Sequence, residues 1–452
     1  MALHQTYDPA PDPVLEKQIL TKVTLRLMPI LILGLFISYV DRANLGILYK
    51  PMSLSLGMSA TAFGLAAGMF YIGYLLFEIP SNMAMTRFGA RKWIARIMVS
   101  WGIVTIVMAG VQGEASLFAL RVLLGVAEAG FFPGVLFYLT LWYPPRALGR
   151  SYSILEIAIP ISLALASILT SSLLLLDGWA GIEGWRWVFI LQGLPAVLLG
   201  IYVFIAMADG PGKAKWLSPQ EKSYLQSQVT QSEGHEVSEL KHLPVVFGNK
   251  VAWALAAVYF CMLIGFWSVT YFLPQIIQER FHVNPVKAGF LAAIPWLIAG
   301  IAIYVVGKSS ERTGDRKWHM FICLATAGVG LFIGAAVDSP VLALLGLSLG
   351  AAGMQSSVPL FWTMPSMSFT AATAAIAIAM INSIGNLSGL IGPFMLGVFQ
   401  DLTGNSRTGL YFMAGFFFLA AVLAFFASQH ASRVQRATEI ARQETYGRPI
   451  LD

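Results

Sequence analysis

Twelve apolar stretches, each of about the ~20 residues needed to cross a hydrocarbon core of ~30 Å, limit this chain more than any other feature. They cover 27–47, 62–85, 93–111, 116–142, 151–176 and 186–207, then 251–276, 287–307, 319–337, 341–364, 374–399 and 409–428. Burying all of them in soluble domains would require a large polar surface, yet only 12% of residues are charged, about half the ~25% usual for soluble proteins. The sequence therefore predicts an all-α membrane protein of twelve transmembrane helices. The first 22 residues hold Asp8, Asp12 and three prolines without an apolar core, so no signal peptide is expected there.

One long polar connection, 208–250, divides the stretches six and six. It contains Ser218-Pro219-Gln220-Glu221, the pattern of a capped helix start with proline in the first turn, so a short surface helix is expected. The predicted organisation is a cytoplasmic tail over 1–25, a six-helix bundle over 26–207, a cytoplasmic loop over 208–249, a second bundle over 250–429 and a tail over 430–452. Cationic loops stay cytoplasmic. With both termini inside, 22 of the 29 basic residues fall on that side and five (Lys50, Arg186, Arg280, Lys287, Arg407) on the other. The net charge of +6 thus reflects topology and lipid contact, and no nucleic-acid partner is expected. The loops after the second and eighth stretches also match. Arg87-Phe-Gly89-Ala-Arg91-Lys92-Trp93 recurs as Arg312-Thr-Gly314-Asp-Arg316-Lys317-Trp318, 225 residues later at each shared position. Such a repeat predicts two pseudo-symmetric halves around a central cavity.

Charged residues inside the stretches carry the functional argument. Asp41, Arg42, Arg121, Glu128 and Glu156 are intramembrane by this reading, with Glu78 nearer the cytoplasmic end of the second span. Each would cost about 2.5–3.5 kcal/mol at mid-bilayer on insertion scales if left unpaired. A rise of ~1.5 Å per residue puts Arg42 and Arg121 at similar height, and Arg121, Gly125 and Glu128 on one helical face. In an empty carrier Asp41 and Glu128 can neutralise Arg42 and Arg121. An incoming carboxylate would compete for the arginine forks, and the displaced, desolvated acids would then take up protons. Anion and proton would load together. Glu156 is open to two readings, snorkelling to the interface or a functional acid; Glu78 is expected to be structural, holding the adjacent basic loop. The second half offers amides instead, Asn382 and Asn386 one turn apart and Gln355 beside Ser356 and Ser357, suited either to substrate recognition or to helix–helix bonding. Tyr71 and Tyr74 share a face, as do Trp267 and Tyr271, read as packing or as substrate contact. Cys261 and Cys323 lie in apolar runs and no histidine lies deep in one, so neither a metal nor a cofactor is expected. With no nucleophile–base or metal constellation, the chain is not read as an enzyme.

These residues resemble the major facilitator superfamily, and within it the anion:cation symporter family of tartrate, hydroxyphenylacetate, sugar-acid and phthalate permeases. The segments that carry the likeness are Tyr39-Val-Asp41-Arg42-Ala-Asn44, Glu78-Ile-Pro80-Ser-Asn82, the basic loop after it, Arg121-Val-Leu-Leu-Gly125-Val-Ala-Glu128-Ala-Gly130, Gly184-Trp185-Arg186-Trp187, Ala214-Lys215-Trp216-Leu217 and Asn382-Ser-Ile-Gly385-Asn386. The resemblance implies alternating access, proton-coupled uptake of a small organic anion, a monomer, and a bacterial inner membrane. By position it gives Asp41 and Glu128 the proton-coupling role and Arg42 and Arg121 the anion. Tyr74 and Asn386 become cavity contacts. Glu78, Arg87, Gly89, Arg91 and Lys92, with Glu311, Arg312, Gly314 and Arg316, form the gating loops. The first loop departs from the family pattern at Asn82 and Thr86, where glycine and an acid are expected. A drug–proton antiporter of the same fold is the alternative; its glycine-rich motif in the fifth span is represented here only by Pro160.

Overall fold

The computed structural model describes residues 13–230, 243–369 and 371–446. The chain is almost wholly helical: α1 (Pro13–Leu56), α2 (Ala60–Phe88), α3 (Ala90–Met108), α4 (Glu114–Glu128), α5 (Phe131–Thr140), α6 (Pro145–Leu173) and α7 (Gly184–Ala206) form the first half. Two short helices follow, α8 (Pro219–Thr230) and α9 (Leu243–Phe247), and then the second half, α10 (Lys250–Phe281), α11 (Pro285–Thr313), α12 (Arg316–Ala336), α13 (Pro340–Ser368), α14 (Ala371–Thr403) and α15 (Arg407–Tyr446).

Local chemistry sets the helix ends. Ser59 accepts from the Ala62 amide at 3.1 Å to start α2, and Asp315 accepts from the Trp318 amide at 3.0 Å to start α12. The repeated loop glycines, Gly89 and Gly314, both adopt positive φ, 91° and 66°, conformations open to glycine and costly for other residues. The two copies share a positive φ at this glycine but not ψ, which is 141° at Gly89 and −3° at Gly314. The expected surface helix is α8: the Ser218 amide donates to Glu221 at 2.7 Å and the Glu221 amide to the Ser218 hydroxyl at 3.2 Å. Lys22 of α1 reaches the same carboxylate at 2.9 Å. The Ser218 amide and then the Lys22 ammonium hold the Glu221 carboxyl below the usual range.

Three features differ from the sequence reading. Among the described residues, eleven spans are long and apolar enough to cross a membrane; the twelfth expected span is α3, which carries Arg91, Lys92 and Arg96 within its first two turns. The boundaries are also wider than the apolar stretches, because helix propensity continues past the charges that end them: α1 begins at Pro13 inside the expected tail, and α15 runs on to Tyr446. Lys241 and Arg448, used in the charge tally, lie outside the described residues. Finally, the fourth span is broken into α4 and α5 at Gly130, φ 84°. Pro133 has no amide to donate to the Ala129 carbonyl four residues back, and the Ser81 hydroxyl fills that role at 2.6 Å.

The halves meet along α2 with α14, α6 with α11, and α1 with α10. Small residues permit the close approach: Gly64 and Gly68 lie against Pro393 and Leu390, Gly46 against Tyr271, and Gly289 against Ser171. These contacts occupy the part of each helix farthest from α8. There Asp401 at the end of α14 accepts from the Ala60 and Thr61 amides at 3.0 and 2.8 Å, closing the start of α2 across the two halves. At the α8 end, Gly307 of α11 has open space beside it. The two halves are held together at the far end.

Candidate functional site

One carboxylate organises the centre of the first half. Arg42 Nε and Nη2 donate to Glu128 Oε1 at 3.0 and 2.7 Å, and Ser38, one turn back on α1, donates to the same oxygen at 2.6 Å. Glu128 Oε2 is buried with no protein partner. Glu128 is fully buried and Arg42 is 9% exposed, so the pair faces the bundle interior. Four aromatic rings surround the guanidinium: Phe70 at 4.9 Å, Tyr74 at 5.3 Å, and Tyr39 and Trp267 each at 5.8 Å. Trp267 belongs to α10, so the cage is built from both halves. Such placement over ring faces stabilises a partly desolvated cation.

The structure does not pair the other two charges as expected. Arg121 donates through Nε to the Ala66 carbonyl and through Nη2 to the Ala67 carbonyl, both at 3.1 Å, and reaches the Tyr271 hydroxyl at 3.4 Å. It has no carboxylate partner; the α2 backbone satisfies it instead. Asp41 accepts from Thr105 of α3 at 3.2 Å, and its Oδ1 is unpaired. Adjacent residues on a helix diverge by ~100°, which turns Asp41 toward α3 while Arg42 faces Glu128. Of the four charges, only Arg42 and Glu128 are joined as an ion pair.

Of the remaining candidates, Asn382 and Asn386 are partly exposed on the α14 face that also carries Gly385 and Gly389, and those glycines lie against Tyr259 and Tyr71. Tyr71 and Trp267 are 5.1 Å apart across the halves. Glu78 and Glu156 are half-buried and make no ion pair or described hydrogen bond. The loop cations do not reach Glu78: Arg91 lies 3.8 Å from Asp209, beside Gly89. An acid just past α7 is thus the partner nearest to the loop cation Arg91. In the second copy, Glu311, Arg312, Gly314 and Arg316 are exposed. Cys261 and Cys323 are free and buried. The sequence reading missed Ser38, although its four-residue spacing from Arg42 was visible. It also missed the buried chain from Asn44 to Gln192 (2.9 Å) to Thr170 (2.8 Å), for which spacing gave no signal.

Two helical halves, with an ion pair buried in the first and ringed in part by Trp267 of the second, have the architecture of a membrane transporter. Residues 31–393 and 276–448 match the family model described as Major Facilitator Superfamily, and the chain belongs to that family. Its relatives are transporters and not enzymes. It is 40% identical over 417 residues to a protein of Agrobacterium vitis named "Putative tartrate transporter", covering 92% of this chain and 96% of that one. It is 37% identical to the Quinolone resistance transporter of Acinetobacter baumannii, over 94% of this chain and 98% of that one. Among solved structures, a bacterial homologue of the human lysosomal transporter Spinster, titled inward-facing and unoccupied, aligns with TM-score 0.74 at 18% identity over 94% of this chain and 99% of that one. The D-xylose–proton symporter aligns with TM-score 0.71 at 17% identity over 90% and 97%. At those identities the likeness is one of fold.

Proposed function

We propose that this transporter carries a small organic anion together with protons, and that the Arg42–Glu128 pair is where the two loads exchange. The observation that carries the reading is the lopsided carboxylate, with three donors on Oε1 and none on Oε2. Separating a buried ion pair without a replacement partner costs about 3–5 kcal/mol, so the pair stays closed in the empty protein. A substrate carboxylate brings its own acceptor for the Arg42 fork. Glu128, released into an apolar surround, then takes up a proton. Neither half-reaction is favourable alone, which ties anion movement to proton movement. Asp41, buried with no ion-pair partner among the described residues, is a second proton site in this scheme; Arg121, bonded to the Ala66 and Ala67 carbonyls, keeps α2 and α4 at the spacing the site needs. In this scheme Tyr74, beside Arg42, and the α14 amides Asn382 and Asn386 contact the rest of the substrate.

The names of the tartrate relatives support a hydroxylated dicarboxylate, and the 225-residue repeat with cationic loops on one side supports a bacterial inner-membrane protein with both termini in the cytoplasm. Proton-coupled efflux is the second reading, favoured by the relative named for quinolone resistance. Uptake of a carboxylate panel into liposomes under an imposed inward proton gradient decides between them. Gradient-driven accumulation of a carboxylate supports symport, whereas expulsion, or no response to any carboxylate, removes it.

A further inference from the structure

Of the side chains that donate to Glu128, Ser38 is the one without a charge, and the exchange of Arg42 for a proton gives it no reason to leave. It lies one turn before Arg42 on α1, so both reach the α4 carboxylate from one helix face. Its hydroxyl donates to Glu128 Oε1 at 2.6 Å, beside the Arg42 Nε and Nη2 bonds at 3.0 and 2.7 Å. Ser38 is 2% exposed and Glu128 fully buried, so bulk water does not make good a lost donor. Glu128 is also the last residue of α4, the end of a helix dipole that disfavours a negative charge. The charged and titratable groups that act on it from the elements packed around it are Arg42, Asp41 and Tyr39 of α1 and Tyr74 of α2, with Arg121 two turns back on α4. From α3 comes Ser100, whose hydroxyl bonds the Ile97 carbonyl at 3.0 Å and reaches the Ala127 carbonyl at 3.5 Å. Glu128 Oε2 is left without a partner. A neutral carboxyl has one hydroxyl oxygen and one carbonyl oxygen, and a donor fixed on Oε1 decides which is which.

We propose that Ser38 is a positioning residue of the exchange: its hydroxyl stays on Oε1 after Arg42 has turned to the anion, so that the proton is taken at Oε2 and Glu128 returns to Arg42 in the same orientation. The proposal rests on the anion–proton reading above and deepens it. A hydroxyl bonds an ionised carboxylate more strongly than a neutral acid, so Ser38 favours the ionised form and holds proton uptake to lower pH. Without it, Glu128 released by Arg42 has no described donor, and the proton is taken at higher pH.

The full chain tests this with two readouts. In liposomes, the pH profile of gradient-driven uptake is recorded with whichever of tartrate, succinate, 4-hydroxyphenylacetate and phenylacetate wild type accumulates. Ser38→Ala is expected to move its midpoint up by about one unit, the difference between a hydrogen bond to a charged and to a neutral group, while exchange of internal for external carboxylate at equal pH persists. Ser38→Thr, which keeps the hydroxyl, is expected to keep the wild-type midpoint. In purified protein, infrared difference spectra on acidification report the C=O stretch of protonated Glu128, assigned by its absence from Glu128→Gln. Loss of the Ser38 donor is expected to move that band to higher wavenumber. Should Ser38→Ala not purify as a monodisperse protein, Ser38→Cys, whose thiol is a weak donor, replaces it under the same criteria. A midpoint or a band left at its wild-type position overturns the positioning role and leaves the anion–proton reading intact. Wild-type uptake that does not vary with pH, or uptake of none of the four carboxylates, overturns both.

Discussion

At the residue scale, the most informative arrangement is the difference between the two buried arginines. Arg42 is held by a side chain that can let go, and Arg121 by backbone carbonyls that cannot. A fork with Nε and Nη2 on one oxygen requires a guanidinium; lysine keeps the charge as a compact point and loses the geometry. Arg42→Lys is therefore expected to lower anion uptake by about tenfold or more, the scale of one lost charge-assisted hydrogen bond. Initial rates across a substrate range check this, and unaltered kinetics would reduce Arg42 to a point charge. The existence and depth of these charges were legible in the sequence, because ionised groups in apolar runs stand out. Their partners were not. Neighbours in sequence, Asp41 and Arg42, turn to different helices, and the acceptors of Arg121 are backbone groups that every sequence contains.

At the element scale, two helix ends do the positioning. The break at Gly130 leaves Glu128 as the last residue of α4, and the carbonyl that Pro133 releases is taken by Ser81, itself bonded by Trp93 at 2.9 Å. Gly130 and Pro133 are plain in the sequence, but an apolar run of span length hides a break, since hydropathy is blind to hydrogen bonding. Asp401 at the start of α2 is the second device. Its carboxylate caps two free amides across the halves, and a helix cap contributes about 0.5–2 kcal/mol. Asp401→Ala is expected to shift the population toward the far-side-open form by about two- to thirtyfold. A cysteine placed at Tyr49, read with a membrane-impermeant thiol reagent from the far side, reports the shift, against the low background expected of the buried Cys261 and Cys323. Unchanged labelling would show that glycine packing alone holds the far end shut.

At the scale of the whole molecule, the two halves share a backbone plan but not a chemistry. Acids and arginines at depth belong to the first half, whereas the second contributes Trp267, Tyr259, Tyr271 and the α14 amides. The plan was legible from the 225-residue register and the count of apolar stretches. The state was not, since an inward or outward opening differs by rigid-body contacts between halves and leaves the sequence unchanged. Glycine contacts and the Asp401 cap hold the far end together.

The central claim is that one carboxyl, Glu128, exchanges an arginine for a proton when an anion arrives. Simultaneous recording of carboxylate uptake and lumenal pH in liposomes, comparing wild type with Glu128→Gln, tests it most directly. Wild type is predicted to acidify the lumen in step with uptake. The glutamine variant, which can donate and accept but cannot ionise, is predicted to exchange internal for external carboxylate without moving protons. Proton movement by Glu128→Gln equal to that of wild type would contradict the account.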